Sequence, residues 1–208
     1  MRLVVTFAAI AGCFMSPASW AQQFNVALFS KTAGWHHEAT NEGVTAVKRL
    51  ADLHQFNVFW TEDANRIFTD QELAKYKVVV FMLTTGDVLN PEQQAAFERY
   101  IRAGGGYVGV HSASDTEYEW PWYTKMVGHM FVVHPHIQTA TIKVENRDFP
   151  GMDRFADRFL VTEEWYEFDA SRSPNLTYLL SVDESTYEPR KRASLTVPLN
   201  AQSGASGS

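Results

Sequence analysis

Apolar and polar positions change period along this chain, and each change marks an element. "FNVALF", residues 24–29, is a short apolar run that suits a buried strand. After the polar loop "SKTAGWHHEAT", Val44, Val47, Leu50 and Ala51 recur at helical spacing and predict a helix with one inward face. "FNVFWTED", 56–63, returns as a strand. "TDQE" sets Thr69 at a helix N-cap with Glu72 three residues on, a capping-box pattern. "KVVVFMLTTG", 77–86, runs apolar without alternation, which predicts a strand covered on both faces. Asn90, Pro91 and Gln93 open a further helix with Phe97, Tyr100 and Ile101 as its buried stripe and Gly104 as its stop. "YVGVHSA", 107–113, is a fourth strand.

Strands and helices thus alternate, which predicts an α/β fold: an open parallel sheet with helices on both faces. Ligands of such sheets bind at the carboxyl ends of the strands. Three polar loops should meet there, at 30–40, 84–90 and 111–120. The second half is less regular. "HIQTATIKVE" alternates as a half-exposed strand does, and "TEEWYEF" and "LTYLLSV" are further strand candidates. Residues 190–208 decline into Ser, Gly and Ala and are expected to form a divergent, disordered tail. The domain is expected to span 22–189.

Residues 1–21 combine Arg2, an apolar run, Pro17 and a small-x-small ending at Ser19-Trp20-Ala21, the pattern of a secretory signal peptide. Export to the periplasm or medium is the expectation. The alternative is lipoprotein processing at Cys13 in "IAGC". The apolar run is too short for a spanning helix, so no membrane span is expected in the mature chain. Cys13 is the only cysteine. Cleavage after Ala21 would leave none, which removes disulfides, thiolate metal sites and a cysteine nucleophile together. A formal charge of −6, with no basic stripe, argues against nucleic-acid binding.

Histidine carries the candidate chemistry. His111 directly follows a buried strand, in a turn of small residues, and suits acid/base work or metal ligation. Its alternative is a hydrogen-bonded core histidine. Asp115 could orient it or cap the next helix. His36 and His37 are neighbours that point apart, so at most one joins a site. His134 and His136 have the spacing of a metal pair on one strand face, against an exposed turn around Pro135. His54, ending a helix, complements the helix dipole. The aromatics Trp35, Trp120, Trp122 and Tyr123 could stack on a sugar or fill the core. Ser112 and Ser114 adjoin His111, but no G-x-S-x-G supports a serine hydrolase.

The segments "KTAGWHHEA", "GGGYVGVHSASDTEYEWPWYTKMVGHMFVVHP", "KVENRDFPGM", "TEEWYEF" and "LLSVDESTYEP" together resemble the ThuA-like, or trehalose-utilisation, family. The resemblance runs from about Phe24 to Pro189. It implies a flavodoxin-like, class I glutamine amidotransferase-like fold in which His111 stands at the amidotransferases' cysteine corner, so amidotransferase chemistry is not expected. It also implies carbohydrate utilisation, on a trehalose-type or 3-keto-sugar substrate. Carried onto this sequence, it marks His37, His111 and Glu164 as catalytic and His129 and His134 as ligands of one divalent metal ion, zinc first. Trp35, Asp115, Trp120 and Trp122 are then expected to bind the sugar. No nucleotide cofactor is implied. A keto-glycoside hydrolase or lyase is one expectation. A non-catalytic carbohydrate-binding module, its Trp35, Trp120, Trp122 and Tyr123 stacking on sugar rings, is a second; an inactive family member is a third, because "RKRASLTVPLNAQSGASGS" departs from the family's C-terminal strands.

Overall fold

A computed structural model describes residues 22–190. The expected signal peptide and most of the expected tail lie outside the described residues. The elements in chain order are β1 (Asn25–Phe29), α1 (Thr40–His54), β2 (Asn57–Thr61), α2 (Asp70–Leu73), β3 (Val78–Met82), α3 (Pro91–Arg102), β4 (Gly106–Val110), α4 (Pro121–Val127), β5 (Phe131–Val133), β6 (Gln138–Val144), β7 (Arg158–Glu163), β8 (Glu167–Phe168) and β9 (Leu180–Val182).

The first four strands form a parallel sheet in the order β2-β1-β3-β4. This is the flavodoxin-type order, whose strand switch lies between β1 and β3. Successive side chains of a strand point to opposite faces, so the unalternated runs serve two cores. Val26, Leu28, Val80 and Met82 meet Val44 and Val47 of α1 on one face. Ala27, Phe29, Val79 and Phe81 meet Ile67, Phe68, Leu73 and Phe97 on the other. Phe68, Phe81 and Phe97 make edge and stacked ring contacts with one another at centroid distances of 5.5–5.8 Å. Such pairs add about 0.5–1.5 kcal/mol each beyond the area they bury.

The capping signals behave as the sequence suggests. The Thr69 hydroxyl accepts from the Glu72 N–H, and Asn90 and Gln93 form a reciprocal capping box before Pro91. Gly104 leaves α3 at φ +95°, while the Gly104 and Gly105 amides close back on Ile101 and Tyr100. Among the described residues β4 pairs with β3 alone.

The second half builds two small antiparallel sheets, β7-β6-β9 and β5-β8. Here "TEEWYEF" is not one strand. β7 stops at Glu163 and β8 begins at Glu167, because the chain leaves its pairing with β6 to pair with β5. The break is pinned by the buried Trp165, whose indole N–H donates to the Gln138 carbonyl at 2.8 Å.

A candidate site of two histidines and a glutamate

The strand β4 ends at Val110, so His111 is the first residue beyond the sheet's carboxyl edge. His37 comes from the loop after β1, and its carbonyl accepts from the Thr40 hydroxyl and amide at the start of α1. The loop carrying His111 is tied to the end of β3. Ser112 and Thr116 hydroxyls both donate to the Thr84 carbonyl, at 2.9 and 2.8 Å. The second half supplies the opposite wall. Around the pinned Trp165, Glu164 and Tyr166 project to the same side, as residues two apart do in extended chain.

These elements bring four polar atoms to one point. His111 Nε2 lies 3.1 Å from His37 Nε2, 3.1 Å from the Tyr166 hydroxyl and 3.3 Å from Glu164 Oε2. A ring nitrogen offers one proton or one lone pair, so it satisfies only one of these neighbours fully. A cation among them would satisfy several. His37, His111 and Glu164 each present one ligand atom, all within 4.8 Å of one another, and could hold a metal ion. Ligands about 2.1 Å from a tetrahedral metal sit roughly 3.4 Å apart, close to the 3.1 and 3.3 Å from His111 to His37 and Glu164. Two imidazoles and a carboxylate suit zinc or non-haem iron.

Electrostatics agree with a neutral His37. Burial pushes its pKa below the usual histidine value, reinforced by the neighbouring His111, so the ring is held as a base or ligand. Burial, with Glu164 nearby, pushes the Tyr166 hydroxyl above the usual tyrosine range, so it keeps its proton as a donor.

The expected metal ligands His129 and His134 fall outside this donor set. Both ring nitrogens of His129 are engaged elsewhere: Nδ1–H donates to the Asp169 carbonyl at 2.9 Å, and Nε2 accepts from the Tyr178 hydroxyl at 2.7 Å. His134 stands at the rim. Its Nδ1–H donates to the Pro135 carbonyl at 2.7 Å, which leaves Nε2 bare in the neutral ring, 3.9 Å from Glu164 Oε1.

Of the expected sugar contacts, Trp35 and Asp115 line a chamber of about 340 Å³ with His37, His134, Glu164 and Tyr166. Trp35 is 72% exposed, while the Asp115 carboxylate accepts from the Tyr118 hydroxyl at 2.5 Å. Trp120 and Trp122 are instead structural. Trp120 is buried in the core and Trp122 packs against it, both in contact with Phe97. Their spacing around Pro121 opens α4 and turns both rings toward α3 rather than the loops. Tyr166 was not singled out by the sequence. Its signal is the position two residues after Glu164.

No helix among the described residues is long and apolar enough to cross a membrane. A ThuA-like protein from Bacteroides uniformis superposes with a TM-score of 0.70 at 24% identity, over 84% of this chain and 74% of that one. A second ThuA-like protein, from Parabacteroides merdae, gives 0.64 at 15% identity, over 78% and 70%. A search of curated proteins found no match. The family profile for ThuA, described as trehalose utilisation, matches residues 25–204. This chain belongs to the ThuA trehalose-utilisation family.

Proposed function

We propose that the protein is an exported enzyme of carbohydrate utilisation that cleaves a 3-keto-glycoside, the 3-keto form of a trehalose-type sugar included, by removing a proton beside the sugar carbonyl. The observation that carries this reading is the convergence of His37, His111, Glu164 and Tyr166 on one point at the carboxyl edge of the parallel sheet. Family membership supports the carbohydrate class. Export rests on the signal-peptide pattern of residues 1–21.

A divalent ion held by His37, His111 and Glu164, zinc first among candidates, would polarise the carbonyl as a Lewis acid. The exposed Trp35 indole offers a face for the sugar ring. His134 presents its bare Nε2 at the chamber rim and takes the proton from the carbon next to the carbonyl. The electron pair of that C–H bond forms the new C=C bond as the glycosidic C–O bond breaks. The departing oxygen takes a proton from the Tyr166 hydroxyl, and the His134 imidazolium restores it through solvent. The balance is an unsaturated keto-sugar and an alcohol, with no oxidant required.

The test pairs elemental analysis with turnover of a 3-keto-glucoside. Purified protein should carry about one equivalent of metal, and His111→Ala should lose both metal and activity. His134→Ala should keep the metal while turnover falls about 10²–10⁴-fold, the usual worth of a general base. Unchanged turnover in His111→Ala would overturn the reading.

A further inference from the structure

A second, larger cavity shares its wall with the candidate site. It encloses about 500 Å³ and is bounded by His111, Glu164 and Tyr166 on one side. Glu164 and Tyr166 line both this cavity and the smaller chamber that holds Trp35 and His37. The two spaces therefore meet at the reacting groups.

Their chemistries differ. The smaller chamber presents histidines, carboxylates and one indole face. The larger is walled by Val127 and Met126 from α4, Ile142 from β6, Phe168 from β8, and Leu180 and Val182 from β9. Leu180 is 40% exposed. An apolar wall open to water gains by covering it with another apolar surface. Its size exceeds the space of about 150 Å³ that suffices for a benzene-sized ligand.

We infer that the substrate has two parts, a sugar in the smaller chamber and an apolar aglycone, aryl or long-chain, in the larger one. The inference rests on the proposed glycoside cleavage, and it adds the leaving group's class. The bond to be broken then lies between the chambers, where Tyr166 can protonate the departing oxygen. Continuity with the reacting groups is what favours a substrate part over a protein segment as the occupant. A docked protein segment would compete with the site for His111 and Glu164.

The experiment compares benzyl and methyl 3-keto-glucosides, whose leaving alcohols are of similar acidity, on the full chain. The benzyl compound should have a kcat/KM at least tenfold higher. Leu180 and Ser114 both line the cavity; Leu180→Asn changes it by polarity and Ser114→Trp by filling, and each should shrink that ratio to about twofold or less. Matching thermal melts show that each variant folds. Fluorescence binding of 1-naphthol gives a readout that needs no turnover. Naphthol should bind wild type and His37→Ala alike, since His37 does not line this cavity, and be lost in Leu180→Asn, which supports the apolar site even if keto-glycosides are not the substrate. Equal kcat/KM for both glucosides with no naphthol binding overturns the inference. So does a benzyl preference that survives both variants, or a Leu180→Asn variant that keeps the preference and changes only the oligomeric state.

Discussion

The parallel sheet and the antiparallel sheets contribute differently to one site. The parallel half owns nearly all the large fully buried side chains, among them Phe29, Phe68, Phe81, Phe97 and Tyr123. The antiparallel half rests on a small cluster of Ala140, Ile142 and Trp165, and leaves Leu160, Phe149 and Phe155 exposed. Yet it supplies Glu164, Tyr166 and His134 to the histidines of the first half. The scaffold is concentrated on one side and half of the chemistry is held by the thinner side. Local opening follows the density of buried apolar contacts, so the site should come apart by release of the antiparallel half before the parallel sheet unfolds.

The largest effect that tests this contrast is at Phe97. Its ring is buried against Phe68, Phe81, Tyr107 and Trp120, so Phe97→Ala should cost about 4 kcal/mol in urea unfolding. Leu160→Ala, on the exposed face of β7, should change stability by less than about 0.5 kcal/mol. Equal costs would break the contrast.

Next in size is Glu117, in the loop after His111. Its buried carboxylate accepts from the Val88 and Leu89 amides at 2.8 and 2.7 Å and from the Gln94 amide at 2.6 Å. Glu117→Ala would strand two buried N–H groups and should cost about 3 kcal/mol. Glu117→Gln keeps an acceptor and should cost less. Burial pushes this carboxyl above the usual range, so the folded state holds its proton more tightly than the unfolded one. The charged form is therefore the costly one, and that cost relaxes as pH falls through the folded pKa. A urea series from pH 7 to 5 checks the sign by comparing wild type with Glu117→Gln.

How much of this was legible follows the same divide. Buried runs such as "VVVFM" are readable because burial on two faces removes alternation, and caps such as Asn90 are readable because they act locally. His111 was readable as the residue after a buried strand. Tyr166 and the break at Glu164 were not, since only the switch of pairing partner from β6 to β5 creates them. Trp120 and Trp122 misled because a tryptophan's composition is the same in a core and on a sugar site. What separates them from Trp35 is the packing of α4 on α3, a long-range fact.

Trp35 gives a middle-sized test of that distinction. Its side chain is exposed, so Trp35→Ala should leave the melting temperature unchanged, while the core Trp120→Ala should not. On a sugar substrate Trp35→Ala should raise KM about tenfold with kcat little changed, the pattern of lost uniform binding. A fall in kcat with constant KM would assign Trp35 to the reaction instead of the ring.

The smallest effect should come from Asp183, which ties the three strands of the outer sheet together. One carboxylate oxygen accepts from Lys143 of β6 at 3.0 Å and Arg158 of β7 at 2.6 Å, just after β9, and the other accepts from the Ser185 hydroxyl at 2.6 Å. The Ser185 hydrogen bond, with Lys143 and Arg158, holds this carboxyl well below the usual range. The sign is opposite to that of Glu117. The contribution is complete above the unfolded value of about 3.9 and is lost as pH falls through the depressed folded value. Both cations are solvent-accessible, so the bridges are screened and each is worth little alone. Asp183→Asn should therefore leave the global melt almost unmoved at pH 7. Amide exchange should quicken in β6, β7 and β9 and stay constant in β1 and β3, and added salt should narrow the difference. Equal acceleration in both halves would show that the antiparallel sheet opens only with the whole molecule.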